Sequence, residues 1–244
     1  MLLPVWYGAR SAPRSRAGCP RSDLNFPATL FSTAWYVIGM VGALAVLALA
    51  IWQAPWKWLA DSRHLNVWLG AVVALALIWS LRAGVYPGLN LHLLGGMLLT
   101  LVAGRQLALI GLALVLAAVT VNGDTPWISY GLNFLVMACA PVYAATAIMA
   151  LVARRLPRHF FVYIFCNGFF GAALSVAAVG GVSNAVLWLS GAYPFEFLLD
   201  QYTMYFLLLG FSEAWLTGMV VTLMVVYRPE WVSTFDDHLY LDNQ

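Results

Sequence analysis

Charge is what this chain has least of. Only 9% of its 244 residues are Asp, Glu, Lys or Arg, against roughly 25% in an ordinary soluble domain. Hydrophobic residues make up 63%, and the mean hydropathy is +0.83. Most of the chain therefore faces lipid or other apolar helices, not water. The net charge of +2 is spread over scattered arginines, with no basic stripe, which excludes nucleic acid as a partner. Cysteine is also scarce. Cys19, Cys139 and Cys166 lack CxxC spacing, and the last two lie in apolar runs, so they read as small packing residues and not as a disulfide frame or zinc site. Catalytic signatures are missing as well: no GxSxG, no HExxH and no Walker A loop. Ser175 and Ser183 lie in apolar runs without a nucleophile elbow. The chain reads as no enzyme, and any active transport must draw its energy from another subunit.

What is present is a series of long apolar runs, about seven, which predict an all-α integral membrane protein forming a compact helical bundle. The runs fall at about 28–53, 65–83, 89–103, 106–122, 128–152, 159–190 and 203–227. A crossing needs about 20 apolar residues. The run 89–122 is too long for one helix and is cut by Gly104-Arg105-Gln106, so it predicts two short helices joined by a tight turn. The length of the sixth run allows strong tilt or a break at Gly180-Gly181. Gly39 and Ala43 form a small-xxx-small pair suited to close helix contact. Tyr and Trp residues near the ends of the runs read as interfacial anchors.

Residues 1–24 stand apart. Arg10, Arg14, Arg16 and Arg21 mix with Ser, Pro and Gly, and no apolar core follows as a signal peptide requires. The segment is either a basic disordered tail or upstream sequence from a mis-called start. Residues 25–232 form the membrane bundle and 233–244 a polar, acidic cytoplasmic tail. With seven spans, Lys57, Arg63, Arg105, Arg154, Arg155, Arg158 and Arg228 fall on one side, and Arg82 with Asp124, Glu196 and Asp200 on the other. The positive-inside rule then puts the C terminus in the cytoplasm and the N terminus outside. Four tail arginines oppose that bias, which favours a true start near position 24.

The polar residues inside the spans are the functional candidates, because polar groups at membrane depth are expensive. His92 stands in Leu89–Met97 beside Gly95-Gly96; it is either a ligand for metal or substrate or a histidine hydrogen-bonded within the bundle. Asn90, Asn133 and Asn167 read as helix-to-helix hydrogen bonders or as lining of the same site. Glu213 must find a partner or take a proton, serving structure or contacting a coupling partner.

These features resemble the CbiM/NikM family, the substrate-capture permease subunits of energy-coupling factor transporters for cobalt and nickel. The resemblance rests on Gly88–Gly104 with His92, on Gly131-Leu132-Asn133, and on a last helix with Glu213 ending Tyr227-Arg228-Pro229-Glu230, and it runs over about 25–232. It implies a transition-metal substrate, nickel or cobalt, no other cofactor, a transmembrane coupling subunit, cytoplasmic ATPases, and a bacterial cytoplasmic membrane as the setting. Family members begin Met-His-Ile-Pro, and this segment plugs the bundle. Their metal is held by the terminal amine, the next backbone amide, the following histidine and a histidine of the third segment. By position His92 matches the last of these, and Leu24-Asn25-Phe26-Pro27 falls on Met-His-Ile-Pro. Asn25 then replaces a ligand histidine. That departure leaves open a second function, a non-transporting accessory or assembly subunit that keeps the scaffold and has lost the metal site.

Overall fold

The computed structural model describes residues 26, 30–80, 83–84, 90–123 and 126–236, with the backbone alone at 83–84, 90–91 and 201. Asn25, the tail 1–24 and the last acidic residues lie outside the described residues, as does the side chain of Asn90.

Among the described residues, six helices are long and apolar enough to cross a membrane. We label them α1 (Thr33–Gln53), α2 (Ser62–Ser80), α3 (Gly96–Val121), α4 (Trp127–Arg155), α5 (Phe160–Leu189) and α6 (Phe195–Tyr227). At 1.5 Å per residue, the 21 residues of α1 reach about 31 Å, the thickness of a hydrocarbon core. The chain is a multi-pass membrane protein. Between α2 and α3 lies a two-residue antiparallel pair, β1 (Ala83–Gly84) and β2 (Asn90–Leu91), in which Gly84 faces Asn90.

α3 is two helices. Gly104 takes φ 78° and ψ 169°, a region essentially reserved for glycine. On an unbroken helix Leu99 and Gly111 would stand about 18 Å apart. Instead they touch: a Cβ at Gly111 would lie 2.7 Å from Leu99 Cδ2. The chain therefore doubles back at Gly104, giving short arms over 96–103 and 105–121, so the described residues hold seven apolar helical segments, two of them short.

The first arm is shorter than the sequence predicts. Residues 90–95 are not helical, so His92 lies in an irregular segment and not within a helix over 89–103. The physical cause is local. Asn90 and Leu91 are engaged in β2, and Gly95 adopts a left-handed φ of 68°, which a continuous right-handed helix excludes. The sixth span takes no break at Gly180-Gly181, where the helix continues and the Phe206 ring fills the space a Gly180 side chain would take. Its irregularity sits earlier, in a π-helical stretch over Tyr163–Phe170. Further π turns occupy Leu135–Cys139, just before Pro141, and Leu198–Thr203.

Small residues set the helix crossings. Gly39 of α1 lies against the Leu132 backbone and Gly131 of α4 against Met40. Gly96 meets the Pro141 ring. After α6, Arg228 and Arg63 both approach Glu230, at 3.7 and 3.9 Å. Ser233 N–H donates to the Val102 carbonyl at 2.9 Å and Thr234 Oγ1 to that of Leu101 at 2.8 Å. The α1–α2 turn, the Gly104 turn and the end of α6 thus share one end of the bundle, the end rich in arginine. The residues after α6 are packed, with Val232 and Phe235 buried.

Candidate substrate site

The site is built around the non-helical residues 92–95. His92 is buried, 5% exposed, and its ring centroid lies 4.4 Å from that of Trp79 at the end of α2. His92 Nδ1 stands 3.2 Å from the Leu93 carbonyl oxygen, so this contact favours a proton on Nδ1. Trp79 Nε1–H donates to the Leu94 carbonyl at 3.2 Å. The tryptophan, fully buried, is therefore more than the interfacial anchor its place at a span end suggests.

Glu213 holds the same segment from the other side. Its carboxylate accepts the Leu94 N–H at 2.9 Å and the Gly95 N–H at 2.6 Å, and the residue is 1% exposed. These donors lie at the start of a helix, where N–H groups lack intrahelical acceptors and the backbone dipole favours an anion. The Glu213 carboxylate thus caps the 96–103 arm through space, 118 residues along the chain. At the far end, the last carbonyls of that arm are capped by Ser233 and Thr234, and Tyr163 bonds Thr234 in turn at 2.7 Å. A rod of eight residues is pinned at both ends by groups in or just after α6. The carboxylate was legible as a candidate. The serine–threonine cap was not, because it lies in a tail that reads as free and polar.

Asn133 is fully buried and accepts the Phe26 N–H at 2.8 Å. Among the described residues its bond is to Phe26 and not to a neighbouring helix. Phe26 is itself buried and packs edge-on against Phe31 at 4.9 Å, so the chain just after Asn25 is lodged in the bundle. Asn167 is buried on α5, next to the crossing where Gly168 meets Gly218 of α6. Asn133 Nδ2 and Asn167 Oδ1 are buried with no hydrogen-bond partner among the described residues. Also among the described residues, no three His, Cys, Asp or Glu side chains gather into a group that could hold a metal ion.

Comparison with curated proteins brings no match. Two solved structures are similar in fold. One, a truncated transition metal transporter, superposes with a TM-score of 0.65 at 18% identity, over 83% of this chain and 99% of its own. The other, a transition metal transporter, gives 0.64 at 18% identity, over 82% of this chain and 92% of its own. Residues 25–231 match the family described as CbiM, cobalt uptake substrate-specific transmembrane region. With a match over most of its length, the chain belongs to the CbiM family.

Proposed function

We propose that this chain is the substrate-capture subunit of an energy-coupling factor importer for a transition metal ion, cobalt or nickel. The single observation that carries the reading is the placement of His92. It sits buried on a non-helical segment whose backbone is held by Trp79 and Glu213, so the imidazole is rigidly presented. With the proton on Nδ1, Nε2 carries the lone pair through which a neutral imidazole ligates metals. Phe26, lodged on Asn133, supports a partner role for the N-terminal residues. Asn25 next to it would contribute its backbone nitrogen and its side chain, alongside a terminal amine if the chain begins at position 24. Square-planar nitrogen coordination suits Ni(II). Asn90, Asn133 and Asn167 supply polar lining, and the orphaned Asn133 Nδ2 and Asn167 Oδ1 fit walls that meet water or a hydrated ion.

In this reading the arginine-rich end faces the cytoplasm of a bacterial cell, the N terminus faces outside, and the 25–232 bundle works with a membrane coupling subunit and ATPases. The chain has no catalytic role. Cells carrying the full transporter should accumulate cobalt or nickel, and His92→Ala should abolish that uptake while the protein stays folded in the membrane. Normal uptake by the variant would sink the role of His92.

One observation favours a second reading, an accessory or assembly subunit without transport. Asn25 stands where the family has a histidine, and amide side chains ligate nickel poorly. Mild detergent extraction would then bring down a stoichiometric partner other than an ATPase complex; a solitary monomer would count against it.

A further inference from the structure

The arm over 96–103 is bounded on both sides by a glycine at positive φ, Gly95 at 68° and Gly104 at 78°. Between these joints lie about 12 Å of helix. Met97, Leu99, Leu101 and Val102 are buried, so a backbone bond opened there finds no water and is expensive. The arm therefore moves as a rod and does not fray. Both of its pins come from α6 or the chain just after it. Glu213 takes the Leu94 and Gly95 N–H groups at one end. Ser233 N–H and Thr234 Oγ1 take the Val102 and Leu101 carbonyls at the other. Thr234 gives its one hydroxyl proton to Leu101, so the Tyr163 hydroxyl is the donor in its 2.7 Å contact with Thr234 Oγ1. The tail has two faces. Val232 and Phe235 are buried, with Phe235 edge-on to Tyr163 at 5.0 Å, while Ser233 and Asp236 are exposed at the arginine-rich end.

We infer that this arm is a transmission rod linking the exposed tail after α6 to the buried His92 segment. With both pins made the rod is seated. Loss of either pin frees that end to swing about the glycine at the other, which strains the pin that remains. Coupling free energies are reciprocal, so a change at Thr234 reaches Leu94 and Gly95, and a change at Glu213 reaches Ser233. Where His92 holds a metal, the tail then sets how fast the ion leaves. That consequence rests on the transport reading above; the link itself does not.

The test is hydrogen exchange resolved to single amides, on the full chain in lipid nanodiscs without metal. Thr234→Val should speed exchange at Leu94 and Gly95 about fivefold, the low end of site-to-site couplings. Glu213→Gln should speed exchange at Ser233 by about the same factor. Tyr163→Phe leaves both pins in place and removes the donor to Thr234, and it should act in the direction of Thr234→Val. As a control, Thr222→Val deletes a hydroxyl that bonds within α6, to the Gly218 carbonyl at 2.6 Å, and should leave all three amides unchanged. Loosening confined in each variant to its own end of the rod, or an equal response to Thr222→Val, would overturn the inference. In a second arm, the Thr234→Val chain loaded with nickel should release it about fivefold faster than wild type. Reciprocal loosening in a chain that takes up no nickel would support the link and reject the metal reading alone.

Discussion

Glu213 offers the sharpest test of how the His92 segment is held. Its carboxylate accepts two buried backbone N–H groups, those of Leu94 and Gly95, in a site closed to water. Glu213→Ala leaves both donors without an acceptor. Each such loss costs about 1–3 kcal/mol, hence about 2–6 kcal/mol together. That is a large part of the roughly 5–15 kcal/mol that holds a domain folded. Glu213→Gln keeps one acceptor oxygen but turns an NH₂ group toward the other donor, so it should cost about half as much, 1–3 kcal/mol. The order of stability is therefore wild type, Gln, Ala. Unfolding in detergent measures the order, and amide hydrogen exchange at Leu94 and Gly95 localises it. In the Ala variant both amides should exchange at least tenfold faster, because each 1.4 kcal/mol is a factor of ten. An Ala variant as stable as wild type, with both amides still protected, would refute the capping argument.

Other substitutions probe the remaining contacts. Gly104→Ala forces a Cβ into a backbone region that only glycine occupies easily, and should lower stability by about 1–3 kcal/mol, read as a shift in the detergent unfolding midpoint. Asn133→Leu removes the acceptor for the Phe26 N–H, so the Phe26 amide should exchange much faster while the helices stay protected. Thr234→Val deletes the hydroxyl that joins Leu101 and Tyr163; hydrogen exchange should show loosening around 101–104 and at Tyr163, with a cost of about 1 kcal/mol.

How far the sequence reveals this arrangement depends on the range of the interactions. The turn at Gly104 is legible because an over-long apolar run must break and glycine marks where. The non-helical course of 90–95 is not. Leu91, Leu93 and Leu94 give the same apolar signal in a strand or a buried helix, and periodicity does not separate the two. What decides the matter is a carboxylate 118 residues away and the left-handed Gly95. Gly180-Gly181 leaves a break open in the sequence, and the structure shows the helix continuous there with the Phe206 ring packed on Gly180. Asn133 is legible as a buried hydrogen bonder, whereas its partner Phe26 becomes visible only in the fold. The π-helical stretch over Tyr163–Phe170 leaves no mark in residue type, since it is a property of backbone packing. His92 and Glu213 stand out because polar groups are costly in hydrocarbon, but only the coordinates reveal that they act on one short segment.

The central claim, that His92 captures a transition metal, is tested most directly by elemental analysis. The protein would be purified as the full chain and as a chain begun with Met at position 24, each beside its His92→Ala variant. Near-stoichiometric cobalt or nickel in the shorter chain, lost in its folded His92→Ala variant, is the predicted result. Folded protein free of metal in every form, after exposure to both ions, would contradict it.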